Sequence, residues 1–438
     1  MTVTVISSIL RLNLDDRHDR NTLYLVLEIL FAAILGAAST FNGAYSIRLG
    51  ASNFEVSLLS SIPALMAILV SLPAGQFLQS KANRKPWILG SLLLNRSVFI
   101  LLALVPWFSP RFIQQGSIVV AVLVIMSIPA HFFNVGWIPL LADVIPEEHR
   151  AGLFAARNIT YNIILSICVL LYGQWLVRVT FPRNYQAMYL LAFIAALVGQ
   201  YFLMKVDVPI SSSAPQKVST KTSLTDRWHE FQFTTKEYTG FLHITRNTLL
   251  HGCGIWMAAP LYILYYVKQL NASDAWIGIQ GTVASLATIA GYAFWRWVIS
   301  HWGEQKTLKC TIIFLGLLPI FAGLLPNLNF ILVAIGINGF LASGTNLSHI
   351  NILIKVMPED RRPGYTALYM TIMNIGAFIC PMLGVSIANY IGLRDMLIVC
   401  GVLITLGSSS FILLPIYVKP RVAGNIISSP ATNTISPK

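Results

Sequence analysis

Asn134 stands twelve residues before Pro146, and Asn346 stands twelve residues before Pro358. His131 precedes the first asparagine by three residues, and His349 follows the second by three. Amides and imidazoles in this pattern do not break or transfer bonds unaided. They hydrogen-bond a polar molecule, and an imidazole can also move a proton near neutrality. A different chemistry is offered by Glu28, a carboxylate inside a long apolar run, with Arg157 and Arg246 at comparable depth in other runs. Charge in hydrocarbon costs about 3 kcal/mol or more, so Glu28 is expected to hold one of these arginines and to serve coupling or gating.

The two prolines belong to one repeated turn. "VIPEEHRAGLFA" (Val144 to Ala155) returns as "VMPEDRRPGYTA" (Val356 to Ala367), in the frame V-x-P-E-E/D-x-R-x-G-x-x-A. As a bend, the turn is explicable: proline opens a helix, acids favour its first turn, and arginine snorkels to the headgroups. As a gate, Glu147, Glu148 and Arg150 would face Glu359, Asp360, Arg361 and Arg362 across two packed units, each exposed pair contributing about 0–1 kcal/mol. Both readings stand at this point.

The elements that position these residues follow from composition. The chain has 438 residues, 55% apolar and only 11% charged. Soluble domains carry roughly 25% charged residues, so lipid must be the solvent for most of this surface. Twelve apolar runs are long enough to cross a bilayer: 24–48, 54–78, 86–107, 116–141, 152–177, 187–206, 242–268, 275–300, 307–326, 330–356, 364–390 and 396–418. The fold class is therefore an all-α membrane protein of twelve transmembrane helices. Residues 1–23 form an N-terminal tail, 24–206 and 238–418 two six-helix halves, 207–237 a polar Ser/Thr/Lys-rich linker, and 419–438 a disordered tail.

The net charge of +13 does not point to nucleic acid, because the basic residues sit in short gaps between apolar runs. With both termini on one side, 22 of the 30 Lys and Arg fall on that side, six on the other, and Arg96 and Arg246 within spans. The bias makes the termini and linker cytoplasmic. The five cysteines all lie in apolar runs without a C-x-x-C pair, which predicts core packing and no disulfide or metal. No signal peptide is visible, and the compact length fits a bacterial inner membrane.

Further echoes join the repeated turn. "LGASNFEVSLL" from Leu49 returns as "LNASDAWIGIQ" from Leu270, and Leu104-Val105-Pro106 as Leu324-Leu325-Pro326. Ordered echoes at similar offsets make the halves pseudo-symmetric copies, an arrangement used by transporters. The chain here resembles the major facilitator superfamily over its whole length, with 6 + 6 spans, a central loop and charged turns in equivalent places. The two-three loop, "GQFLQSKANRKP" (Gly75 to Pro86), keeps the family's glycine and basic pair Arg84-Lys85, with Gln79 in place of the acid and Ala82 in place of the second glycine. In "RWVISHWGEQK" Arg296 replaces the first glycine. The motifs of the drug–proton antiporters in spans four and five are missing, so no subfamily is implied.

The resemblance implies a secondary transporter working as a monomer by alternating access, with spans one, four, seven and ten lining a central cavity. Measured from the turn at about 1.5 Å per residue, Asn134 and Asn346 lie ~18 Å in, near mid-membrane. Their alternative role is interhelical bonding, as it is for the histidines. Phe41 pairs with Tyr262 and Tyr45 with Tyr266 across the repeat, Asn42 and Trp256 lie nearby, and Pro260 could free backbone groups. The expected solute-contacting set is thus Asn134, Asn346, His131, His349, Asn42, Phe41, Tyr262 and Trp256. Arg96 reads as a structural anchor. Aromatics and amides suit a small neutral or amphipathic organic solute. Glu28 or the histidines could serve proton coupling; an uncoupled facilitator and a transporter-like receptor remain alternatives. No H-x-x-x-x-D or D-x-D pattern of membrane enzymes occurs, and no cofactor is called for.

Overall fold

A computed structural model of the chain describes residues 15–107, 114–208, 239–357 and 362–413. Among them every regular element is helical, and twelve helices are long and apolar enough to span a membrane. In chain order these are α1 (Arg17–Arg48), α2 (Asn53–Gln79), α3 (Lys85–Trp107), α4 (Gln115–Val144), α5 (Glu147–Arg178) and α6 (Arg183–Lys205). Then follow α7 (Thr239–Gln269), α8 (Asp274–Trp302), α9 (Glu304–Leu324), α10 (Leu328–Val356), α11 (Arg362–Ile391) and α12 (Leu393–Leu413). The helices match the expected runs and extend past them wherever polar residues can cap. α1 starts at Arg17 rather than residue 24 because Asp16 accepts from the Asp19 amide and Asp19 faces the helix's positive end. Large apolar side chains such as Leu171, Val333 and Leu406 remain exposed on the outside, as a lipid solvent requires.

Both echoes noted in the sequence mark helix boundaries. Pro146 directly precedes α5, so the first copy of the repeated turn is the α4–α5 bend. The second echo is a pair of helix caps. Ser52 caps α2 by accepting from the Glu55 amide, in a full capping box, and Ser273 caps α8 by accepting from the Trp276 amide.

The halves repeat in packing as well. α1 lies against α5 and α6, and α2 against α4; α7 lies against α11 and α12, and α8 against α10. The halves meet through α2 on α11 and α5 on α8, which the same rotation exchanges. Four spans are irregular. α1 breaks at Thr40–Phe41, α3 at Ser97, α7 ends in a π turn (Tyr265–Gln269), and α9 contains a 3-10 turn (Ile313–Gly316).

Among the described residues, Glu28, Arg96 and Arg157 form a buried charge cluster within the N-terminal half, while the buried Asp274 of the other half pairs across the halves with Arg48. Both Glu28 oxygens are occupied: Arg96 Nη2 donates to one at 2.6 Å and Arg157 Nη2 to the other at 2.9 Å. Arg96 also donates to the Ala196 carbonyl and to Gln200 Oε1, and Gln200 donates onward to the Leu89 carbonyl. Arg157 donates to the Leu25 carbonyl, and its guanidinium carbon sits 5.0 Å from the Trp137 ring. The network ties α1, α3, α5 and α6 together under an aromatic lid from α4. The expected Glu28–Arg157 pair is thus present. Arg96, read as a structural anchor, is a direct partner of Glu28, because α3 packs on α6 beside α1 and brings it there. One expectation needs correction. Arg246 is not a partner: it lies in the other half, exposed, and donates to its neighbour Asn247.

Removing one member of such a network leaves buried charge uncompensated, at a cost of about 3–5 kcal/mol. Glu28→Gln should therefore lower the thermal unfolding midpoint of the detergent-purified protein markedly, whereas Arg246→Gln should leave it unchanged. A Glu28→Gln protein that melts like wild type would show that the network contributes nothing.

Candidate functional site

A cavity of about 610 Å³ lies between the halves. One wall comes from α1 (Ser39, Thr40, Asn42, Gly43) and α2 (Val56, Leu59, Ser60), the facing wall from α7 (Ala259, Pro260, Tyr262, Ile263, Tyr266), α8 (Ile277, Gln280, Ala284) and α10 (Ile335, Asn338, Gly339). The backbone irregularities fall here. The α1 break at Thr40–Phe41 and the Pro260 step in α7 both border the cavity, where freed polar groups need not face lipid. Two lining amides are held from behind. The Tyr189 hydroxyl donates to Asn42 Oδ1 at 2.9 Å, and Asn338 Nδ2 donates to the Leu315 carbonyl at 3.2 Å. Among the described lining residues none is Asp, Glu, Lys, Arg or His.

The cavity is closed at the end of the bundle away from the termini by a duplicated clamp. Arg48, in the last turn of α1, donates to Asp274 Oδ1 through Nη2 at 2.9 Å and Nε at 3.2 Å, and to the Ala272 carbonyl at 3.4 Å. Lys268, at the end of α7, donates to Asn53 Oδ1 at 2.8 Å and to the Ala51 carbonyl at 3.4 Å. In each case a cation at a helix C-terminus meets the A-S-N/D start of a helix in the other half; for Arg48 and Asp274 both helix dipoles favour the charges, whereas for Lys268 and the uncharged Asn53 only the α7 end does. The echo "GASN"/"NASD" is the receiving half of this clamp. Tyr185 adds a donation to Asp274 Oδ1 at 2.7 Å, and Asn53 donates to Asn389 at 3.1 Å. The helices come together closely below it: a Cβ on Gly173 of α5 would lie 2.8 Å from the Asp274 carbonyl and 3.0 Å from Gly278 Cα on α8. Every hydrogen bond that joins the halves between described residues lies in this far half, the Thr282–Ser166 bond being the one nearest the middle.

Of the residues singled out in the sequence, Asn42 and Tyr262 line the cavity. Phe41 is fully buried in the core. Trp256 seats against Gly252 and Gly376, where a Cβ on either would clash with its ring. His349 lies 2.7 Å from the Thr248 hydroxyl and 3.5 Å from that of Tyr369, within its own half. His349 and Tyr369 occupy the repeat positions of Trp137 and Arg157, 212 residues earlier, so the same two sites touch in both halves. Asn134 and Asn346 are exposed and His131 half-buried, on the terminus side of the cavity and not among its lining residues. Glu147, Glu148 and Arg150 stand in the first turn of α5, and Arg362 opens α11. Glu359, Asp360 and Arg361 lie outside the described residues.

Thr40, Ser60, Gln280 and Asn338 were not singled out. Asn338 had a signal, an amide inside an apolar run eight residues before Asn346. The break in α1 had a signal too, the Asn42-Gly43 pair directly after it.

The Major Facilitator Superfamily profile matches residues 21–241 and 245–435. Among solved structures, the nucleoside transporter NupG superposes with a TM-score of 0.65 at 10% identity, covering 90% of this chain and 99% of that one. A bacterial homologue of the iron transporter ferroportin, in an inward-facing state, gives 0.64 at 13% identity, covering 89% and 99%. A bacterial homologue of the lysosomal transporter Spinster, also inward-facing, gives 0.58 at 12%, covering 90% and 95%. No curated protein sequence matches the chain.

If the clamp holds the far end shut, the double variant Arg48→Ala/Lys268→Ala should lengthen the distance between spin labels at Leu49 and Leu270, measured by pulsed electron resonance in a cysteine-replaced background. Gly173→Leu should do the same by wedging α5 from α8. Distances unchanged in both would remove the clamp as the closing element.

Proposed function

Because the chain belongs to the Major Facilitator Superfamily, we propose that it is a secondary transporter carrying a small neutral organic solute by alternating access between its two six-helix halves. The observation that carries this reading is the cavity lining. It offers hydroxyls, carboxamides and two tyrosines against aliphatic walls, and no described ionisable side chain other than Tyr262 and Tyr266. A cation or anion held there would lack a counter-charge in a low-dielectric site, at a cost of several kcal/mol or so. A cavity of this volume falls within the usual range of small-molecule sites. A nucleoside, the solute that NupG is named for, is one molecule of this class.

The clamp and the charge bias together support an inward-facing state. The far end is tied shut, and the Lys/Arg excess puts the termini in the cytoplasm. The repeated α4–α5 and α10–α11 turns would then pair across the cytoplasmic end in the opposite state, Arg150 with Glu359. The same lining favours facilitation without proton coupling. No carboxylate or imidazole is among the described lining residues, and Glu28 is engaged by two guanidinium groups in one half.

A thermal-shift panel of nucleosides, sugars, organic cations, organic anions and ferrous iron tests the substrate class, followed by proteoliposome uptake with and without a pH gradient. Stabilisation by neutral members and equal uptake under both conditions are expected. Stabilisation by the cations or iron alone would sink the neutral-solute reading, severalfold faster uptake with the gradient would sink uncoupled transport, and specific binding without uptake would favour a receptor.

A further inference from the structure

We infer that Asn42 and Asn338 fix the hydrogen-bond polarity of the cavity, so that the N-terminal half offers the solute a donor and the C-terminal half an acceptor. This rests on the reading of the cavity as the solute site. Both residues line it from opposite walls. An asparagine side chain is ambiguous until something holds one end of its amide. For Asn338 the holder is the Leu315 carbonyl, which can only accept, so the nitrogen turns toward α9 and the oxygen is left over. For Asn42 the holder is Tyr189, a fully buried phenol packed against Tyr45 and Tyr185. Its hydroxyl has no other acceptor among the described residues, so it donates to Asn42 Oδ1 and leaves the nitrogen over. Neither leftover atom has a partner among the described residues, and neither is among the buried unpaired atoms, so both are open to the cavity.

Ser39 donates to the Leu35 carbonyl at 3.1 Å within its own helix, a local bond that a hydroxyl can exchange by rotating. The other polar lining groups lack this bias: the hydroxyls of Thr40, Ser60, Tyr262 and Tyr266 both donate and accept, and Gln280 has neither end held by a described residue, so it can rotate to suit. Asn42 and Asn338 therefore set the rule and the rest adapt. The class of solute admitted has an oxygen or nitrogen acceptor toward α1 and an N–H or O–H toward α10, as amides, lactams and polyols do. A carboxylate or phosphate, acceptors only, would face the Asn338 oxygen without a proton to give it. A site built to hydrogen-bond rejects such analogues strongly, because its own polar groups are left unpaired. A solute that satisfies both groups also bridges the two halves.

The experiment uses tritiated uridine and D-xylose, two neutral solutes rich in donors and acceptors, in proteoliposomes of the full chain. For whichever probe wild type carries, Asn42→Asp, which turns the donor into an acceptor at constant size, should raise KM about tenfold or more, as should Asn338→Leu. Asn42→Ser, which keeps a donor, should stay within about threefold. Tyr189→Phe, which releases the amide without removing it, should raise KM severalfold at an unchanged maximal rate. Thermal unfolding midpoints near wild type identify the variants that are folded. Wild-type KM in Asn42→Asp overturns the inference and leaves the neutral-solute reading intact. Uptake of neither probe by wild type overturns both.

Discussion

Two six-helix bundles that each satisfy their own backbone have no reason to stay in register in lipid. Hydrocarbon supplies no hydrophobic drive between them, so packing and polar contacts must hold the interface. Here the constraint is met at one end by a reciprocal pair of contacts, Arg48 to Asp274 and Lys268 to Asn53. Each cation ends one helix and each acceptor starts another, so the contacts tie the ends of α1 and α7 to the starts of α8 and α2. The glycines at 173 and 278 permit the approach, since a Cβ at either would meet backbone, which cannot give way.

The cavity exists because of where that closure sits. Below it α1 breaks and α7 carries Pro260, and both irregular stretches line the space between the halves. In a membrane such backbone is tolerated only beside a cavity or within protein. The break also points Asn42 toward Tyr189 of α6, which a straight α1 would not be required to do. Closure, helix breaks and amide orientation are thus one arrangement seen at three scales.

The sequence displays those features that repeat or exceed a threshold. Twelve spans follow from apolar length, and the duplication from echoes such as "GASN" and "NASD". The meaning of that echo was hidden, because Arg48 and Asp274 are 226 residues apart and only packing makes them neighbours. Glu28 announced itself as a buried acid, but its partner Arg96 did not, since nothing in the sequence says that α3 and α6 close around it. The cavity-lining residues were the least legible. A ruler drawn from the repeated turn reaches Asn134 and Asn346 at mid-membrane, yet the cavity lies further toward the clamp, beside Asn42 and Asn338. Depth can be counted from a turn; which face of a helix meets the other half cannot.

The halves are copies in fold and not in chemistry. At equivalent positions the N-terminal half has Trp137 over Arg157, part of a charged network, where the C-terminal half has His349 beside Tyr369, with Thr248 hydrogen-bonded to the histidine. Glu28 itself is matched by Leu249, 221 residues on. A strictly symmetric pair of bundles would present identical groups to a bound molecule and would suit a symmetric solute. Divergence removes that restriction. With an amide held from α6 on one side and another held from α9 on the other, the two walls of the cavity need not offer the same polarity. Symmetry is retained at the clamp, where the halves are joined, and lost in the lining of the cavity between them.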